Sequence, residues 1–206
     1  MMFDPFKDFE KRGYLRNNLG YKDMELIKEV ERGCFNANLP SAMAELSAIE
    51  SLSIDAFNKA HKLLFANFYP WAGVFRNQFM PSTTVKKDNL VFANPHEIEA
   101  ALMAGLNEKT PGKSLGYYAF AHPFLECNGR VMLTIVSEQM RRKNKMIQWS
   151  KMNRLDFLTA LEKQINVCFS NDLDDFLGDF IVDIDVNNSV DFCVQELYRV
   201  QWNKKI

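Results

Sequence analysis

Helical spacing of apolar residues recurs along most of the chain, and one segment breaks it. Apolar residues three and four positions apart predict amphipathic helices within 24–30, 54–64, 98–106 and 155–165. Asn94-Pro95-His96-Glu97 is a typical helix start, with an N-cap, a proline in the first turn and a capping glutamate. Between Arg76 and Ala93 β-branched and turn-forming residues replace this period and predict a short hairpin or flap. The sequence therefore predicts a mostly α fold that carries one β-hairpin.

Element boundaries follow from the same signals. Pro70 is expected to end the second helix, since proline cannot continue one. Thr110–Lys113 is predicted to be a loop because it contains a Pro-Gly pair. An acidic segment, 171–185, precedes a last helix that is expected from about Val190 to Trp202. No repeat or linker divides the chain, so we expect a single domain over 1–206 with a core at about 50–150.

Charge and composition exclude several classes of function. The 206 residues carry a net charge of −1, which argues against a polybasic protein that binds nucleic acid or a membrane surface. No apolar stretch is long enough to span a bilayer, and the N-terminus is too polar for a secretory signal. The four cysteines, Cys34, Cys127, Cys168 and Cys193, lack zinc-site spacing. A reduced, cytoplasmic protein is expected.

The run from His122 to Arg130 concentrates the chemistry of the chain. Histidine can accept a proton near neutral pH, and a glycine-containing loop before a helix exposes amides that bind phosphate. Arg130 can bind phosphate oxygens, and the carboxylate of Glu126 can hold the magnesium that accompanies a nucleotide. These residues predict a nucleotide-phosphate site with a general base beside it.

Each of these residues also has a plainer interpretation. His122 could be a histidine satisfied within the core, Glu126 a solvated loop acid, and Arg130 half of a surface ion pair. Phe124 is expected to pack the loop onto the core. Cys127, at a helix N-terminus, could be a reactive thiol, although a neutral substitution is the favoured interpretation. His61 and His96 are expected to be structural.

The same run resembles the Fic motif, His-x-Phe-x-Asp/Glu-Gly-Asn-Gly-Arg-x-x-Arg. Cys127 stands where this motif has glycine, and Leu133 stands where it has the second arginine. Upstream, the segment from Ala60 to Arg76, with its Tyr-Pro-Trp-Ala-Gly turn, resembles the helix and turn that precede the active site in Fic proteins. The element Tyr14-Leu-Arg16-Asn17 is similar to their N-terminal part.

The resemblance implies a Fic-type helical bundle and transfer of AMP from ATP to a Tyr, Ser or Thr hydroxyl of a target protein. His122 would be the base, and Glu126 would hold Mg²⁺. Cys127, Asn128, Gly129 and Arg130 would bind the nucleotide phosphates. The two departures predict weak activity. Alternatives are a catalytically degenerate binding module, or transfer of another phosphate-containing group.

The resemblance also implies how partners would bind. In Fic proteins the flap docks the target by strand addition, which assigns Val85, Lys86 and Lys87 to target docking. No inhibitory Ser/Thr-x-x-x-Glu-Gly/Asn helix is convincing: Glu45 and Glu50 each lie in an incomplete version. Inhibition is expected from an antitoxin-like chain, from homo-oligomerisation, or not at all. No nucleic acid or membrane partner is expected.

Overall fold

The computed structural model describes residues 16–87, 90–167, 170–185, 187 and 189–200. Within these ranges the α-helices are α1 (Met24–Ser47), α2 (Ile54–Phe65), α3 (Ile98–Asn107), α4 (Pro111–Ala121), α5 (Asn128–Arg141), α6 (Arg154–Asn166), α7 (Asp172–Gly178) and α8 (Ser189–Arg199). The strands are β1 (Lys86–Lys87), β2 (Leu90–Val91), β3 (Lys145–Ile147) and β4 (Ile181–Asp183). The predicted mostly α fold with a β-hairpin flap is confirmed.

Helix α5 forms the centre of the bundle. It packs against α1, α2, α4 and α8, and its residues from Val131 to Glu138 are all buried. Glu138 is fully buried there, and it is paired with the guanidinium groups of Arg141 and Arg142. Arg142 also donates to the carbonyls of Leu46, Ile49 and Glu50 at the end of α1. The central helix therefore fixes the C-terminal end of α1, whose carbonyls lack intrahelical partners.

Helix α1 continues through Pro40, although proline removes an intrahelical donor. The carbonyl deprived of its usual partner is that of Asn36, four residues earlier. The Tyr198 hydroxyl of α8 donates to this oxygen at 3.0 Å. A side chain from the other end of the sequence thus replaces the missing backbone bond and joins α8 to α1.

The prediction of a loop at Thr110–Lys113 is wrong, because α4 begins at Pro111. Asp174 of α7 accepts from the Gly112 amide at 2.6 Å and from the Thr110 hydroxyl at 2.6 Å. This carboxylate, distant in sequence, satisfies one amide of the first turn, and proline is favoured at the first helical position. Local turn signals could not reveal a cap that another helix supplies.

Other boundaries differ in smaller ways. Helix α2 ends at Phe65, before Pro70, and turns cover the interval between them. Helix α6 is confirmed, but Leu155 is 72% exposed, so its buried side only partly follows the predicted spacing. Helix α8 ends at Arg199, and Trp202 lies outside the described residues.

Two antiparallel two-stranded sheets flank the bundle. In the flap, Lys86 pairs with Val91 and Lys87 with Leu90. The pair formed by β3 and β4 was not predicted and follows the last turn of α5. In the described ranges, no helix has both the length and the apolar character needed to cross a bilayer.

Three of the four cysteines lie in the described part of the chain. Cys127 and Cys193 are buried and Cys34 is half-buried, all three as free thiols. Cys168 and Tyr14 lie outside the described residues.

Candidate active site

A short loop joins α4 to α5, and both of its ends have left-handed backbone. His122 ends α4 with φ 42° and ψ 58°, and Cys127 precedes α5 with φ 64° and ψ 11°. Non-glycine residues adopt this conformation at a cost of roughly 1–2 kcal/mol, and such positions cluster at functional sites. The glycine that the Fic motif has at position 127 would adopt it freely.

Asn128 holds this loop closed. Its side-chain oxygen accepts from the Phe124 amide at 2.8 Å, and its side-chain nitrogen donates to the Phe124 carbonyl at 2.9 Å. The Phe124 ring is buried against His61 and Phe75, as expected for a residue that packs the loop onto the core. The Asn128 side chain is thus a loop clamp, which leaves its backbone amide as the group that could meet phosphate.

His122 is partly buried and lies under the flap. Its ring stacks on Phe92 with centroids 4.1 Å apart. Burial, together with the positive charges of Arg76 and Lys87, lowers the pKa of His122 to about 3. The imidazole is therefore neutral at physiological pH, which is the protonation state that a general base requires.

The Arg76 side chain joins the flap to the loop between α4 and α5. This fully buried guanidinium donates to the His122 carbonyl at 2.7 Å, to the Thr83 carbonyl at 3.4 Å, and to the Ala93 carbonyl. The Arg76 amide also donates to the Pro123 carbonyl at 2.7 Å. Thr83 and Ala93 lie on either side of the hairpin. One side chain therefore holds both ends of the flap against the loop that carries His122.

Arg130 is already engaged by a residue that sequence analysis did not single out. Its Nη1 contacts Glu31 of α1 and lies 3.9 Å from Cys127 Sγ. The second carboxylate oxygen of Glu31 accepts from the Tyr69 hydroxyl at 2.7 Å. Both of these contacts of Arg130 use Nη1. Because arginine has five N–H donors, these two contacts do not use all of them.

Glu126 is the second carboxyl group at the site. Burial, together with the nearby charge of Glu31, raises its pKa to about 7, against the opposing effect of the Cys127 amide. The described residues include no cluster of three or more His, Cys, Asp or Glu side chains that could enclose a metal. Mg²⁺ commonly keeps several waters and binds through one or two carboxylates plus substrate phosphates, and a lone Glu126 fits that pattern.

Cys127 does not have the features of a reactive thiol. Burial raises its pKa well above the ordinary value, and Glu31 raises it further. A thiol that stays protonated is a poor nucleophile. This geometry agrees with the neutral interpretation of the glycine-to-cysteine difference.

These groups meet in one cavity of about 480 Å³. Helix α5 begins at Asn128, so the amides of its first turn have no intrahelical partners and provide a positive helix end. The walls include the predicted residues His122, Glu126, Cys127, Asn128, Gly129, Arg130 and Lys87. They also include Leu133, which is 3% exposed, together with residues of α1, α6 and α8 such as Arg32, Phe35, Arg154 and Tyr198.

Some predicted groups lie elsewhere. Val85 and Lys86 belong to the flap but do not line the cavity, whereas Lys87 does. Glu45 is exposed and pairs with Lys59 at 2.7 Å, away from the Arg130 contacts. Neither Glu45 nor Glu50 lines the cavity. Sequence reasoning missed Glu31, since nothing in α1 marks it apart from other surface acids, and it assigned His61 only a structural role.

Residues 51–140 match the model of the Fic/DOC family. Protein adenylyltransferase VbhT of Bartonella schoenbuchensis is 28% identical over 173 residues. This alignment covers 76% of the chain but only 35% of VbhT, so the chain spans about a third of the length of that curated relative.

Solved structures share the fold. The N-terminal Fic domain of a VirB-translocated Bep effector from Bartonella quintana, with bound ADP, has a TM-score of 0.66 at 18% identity, over 82% of this chain and 91% of that one. The BepC effector of Bartonella tribocorum, with bound AMPPNP, has a TM-score of 0.60 at 16% identity, over 82% and 92%.

Proposed function

We propose that this Fic-domain chain is a protein adenylyltransferase, which moves AMP from ATP to a Tyr, Ser or Thr hydroxyl of a target protein. One observation carries the proposal: a neutral histidine, the open N-terminus of α5 and a flap meet at a single cavity. The similarity to an adenylyltransferase and to two structures that hold AMPPNP or ADP supports a nucleotide as the ligand.

In the proposed reaction His122 accepts the proton of the target hydroxyl as its oxygen attacks the α-phosphorus. The new P–O bond forms while the bond to pyrophosphate breaks, and pyrophosphate leaves. A polyphosphate next to His122 would offset the charges of Arg76 and Lys87, which lower the pKa of the ring in the free protein. Substrate binding would therefore raise the proton affinity of the base at the step that needs it.

Anion binding falls to the start of α5. The amides of Asn128, Gly129 and Arg130 would donate to phosphate oxygens, and remaining donors of Arg130 would add a charged contact. Glu126 would hold a magnesium ion, which supplies charge neutralisation for the phosphates when bound. With Leu133 in place of a second arginine, one phosphate contact is absent from that position, which supports the expectation of weak transfer.

Partner binding is proposed for the flap. Strands β1 and β2 are two residues each, and Lys86, Lys87 and Val91 are exposed. An extended target segment would add its backbone to this edge and so bring its hydroxyl toward His122. Restraint by an antitoxin-like chain or by self-association is a further part of the proposal that follows only from the resemblance. A cytoplasmic location is proposed from the scattered cysteines.

The test is transfer of label from α-phosphate-labelled ATP to proteins of a bacterial lysate, compared with CTP, GTP and UTP. We expect labelled bands with ATP, and a loss of about a hundredfold or more in His122→Ala. His96→Ala is the matched control, because His96 is exposed on the turn before α3. Labelling that survives His122→Ala would refute the assignment of the base.

A second candidate is a nucleotide-binding module without transfer. It is favoured by Leu133 and by the engagement of Arg130 with Glu31. Calorimetry decides between the two: ATP binding by the parent chain without any labelled product under every nucleotide and lysate tested would support the module.

A further inference from the structure

His61 occupies a buried position between the turn after α2 and the loop that joins α4 to α5. It lies on α2, is 0% exposed, and stacks on Phe124 with ring centroids 3.9 Å apart. Trp71 and Phe65 complete its apolar surroundings. A histidine enclosed in this way must have both ring nitrogens satisfied, since an unpaired buried polar group is costly.

The two partners of His61 determine its tautomer. The Gly73 amide donates to Nδ1 at 2.9 Å, so Nδ1 carries no proton. The ring proton of the neutral imidazole is therefore on Nε2, which lies 3.3 Å from the Glu126 carbonyl and donates to it. Burial lowers the pKa of His61 to about 3, so this neutral tautomer is retained.

Gly73 can provide that donor only because it is glycine. Its φ is 82°, and a Cβ there would lie 2.7 Å from Lys62 Cβ and 3.0 Å from the Asn58 carbonyl oxygen. The turn after α2 is thus pressed against α2 itself, which holds the Gly73 amide against His61. The Tyr-Pro-Trp-Ala-Gly turn, interpreted from sequence as a structural marker, is connected to the catalytic loop through this imidazole.

The consequence for the site follows from the planarity of the peptide bond. In a trans peptide the C=O and N–H groups point in opposite directions. With the Glu126 carbonyl turned toward His61, the amide of Cys127 must face the other way, toward the cavity that Glu126 and Cys127 line.

We propose that His61 is a positioning residue that aims the Cys127 amide at the phosphate of the bound nucleotide. The inference rests on the proposed nucleotidyl transfer for its ligand, but its geometry belongs to the free protein. Cys127 has left-handed φ, so its peptide would flip easily without an anchor, and His61 supplies that anchor. In the complex the amide would donate to a phosphate oxygen that gains charge during transfer.

Two substitutions of His61 separate positioning from packing. The oxygen and nitrogen of a glutamine amide have nearly the same separation as the two imidazole nitrogens, so His61→Gln can accept from Gly73 and donate to Glu126. His61→Leu fills the apolar space and makes neither bond. Phe57→Leu is the matched control for lost stability, because Phe57 is 1% exposed on the same helix and packs on Tyr118.

The first measurement is the amide nitrogen and proton chemical shift of Cys127 in the ligand-free protein. We expect His61→Leu to shift this resonance, His61→Gln to restore it, and Phe57→Leu to leave it in place. This readout holds whether or not the chain is an enzyme. An unchanged Cys127 resonance in a folded His61→Leu protein would overturn the positioning role.

The second measurement is steady-state transfer with ATP. We expect kcat in His61→Leu to fall by about ten- to a hundredfold, with KM for ATP changed by less than about threefold, since the amide acts on developing charge. His61→Gln should recover most of kcat, and Phe57→Leu should retain it. Parent-like kcat in His61→Leu refutes the proposal. A parent chain that neither binds nor transfers nucleotide refutes the proposed function. In that case the Cys127 chemical shift alone tests whether His61 positions the amide.

Discussion

Two neutral histidines and one protonated carboxyl group make the stability of this protein depend on pH in opposite directions. His61 and His122 have pKa values of about 3 in the folded chain, against 6.5 for an ordinary histidine. Below pH 6.5 the unfolded chain binds their protons and the folded chain does not. Stability therefore falls as the pH is lowered from 6.5 toward 3.

Glu126 acts in the opposite direction. Its pKa is about 7 in the folded chain and 4.5 ordinarily, so between these values the folded chain holds a proton that the unfolded chain releases. At about pH 5.5 the two histidines bind close to two more protons in the unfolded chain than in the folded chain. Glu126 binds about one more proton in the folded chain. The unfolded chain therefore binds about one proton more than the folded chain. As the pH is lowered, the free energy of unfolding falls by roughly 1.3 kcal/mol per pH unit.

Urea denaturation in metal-free buffer from pH 5 to 6.5, followed by tryptophan fluorescence, measures this slope. His61→Gln removes one titrating histidine, so the slope should fall to near zero. Glu126→Gln removes the opposing group, and the slope should rise to about two protons, or roughly 2.5 kcal/mol per pH unit. If the slope is the same in the parent and both variants, these groups are not held in the protonation states described and the reasoning is refuted.

Three other outcomes test the site and the bundle. Glu126→Ala should weaken magnesium-dependent ATP binding in calorimetry. Glu45→Ala, which removes an exposed ion pair, should leave this binding unchanged. Equal affinities of the parent and both variants would count against the metal assignment. Leu133→Arg places a guanidinium in the wall of the cavity and should tighten ATP binding by about tenfold or more, so a folded variant with unaltered affinity would exclude a phosphate role for that position. Glu138→Gln removes the buried partner of two arginines and should lower the free energy of unfolding by about 3–5 kcal/mol in urea titration, and a loss below 1 kcal/mol would show that the pair is not desolvated.

The helical period and the loop motif made most of the fold and part of the site predictable. The spacing of apolar residues located parts of α1, α2, α3 and α6. The capping box at Asn94 was found as expected, with Glu97 accepting from the Asn94 amide at 2.8 Å. The loop from His122 to Arg130 indicated phosphate chemistry because its residues are contiguous. Local patterns carry such information, since caps and turns act within a few residues.

What sequence alone did not reveal depends on contacts between distant segments. Asp174 converts an expected loop into the start of α4, and Tyr198 allows α1 to continue through a proline. Glu31 reaches Arg130 across 99 positions, and no spacing rule encodes that pair. The same holds for His61, whose two hydrogen bonds join segments that are separate in the chain.

The three carbonyls held by Arg76 have a consequence for how target preference can change. Because the backbone at Thr83 and Ala93 is bound to one buried guanidinium, both ends of the intervening segment keep their positions relative to His122. Phe92 of this segment stacks on the His122 ring. The side chains of Val85 and Lys86 do not line the cavity, so they can be exchanged within this frame. We expect such exchanges to alter which polypeptide the proposed adenylyltransferase docks, while His122 keeps its position.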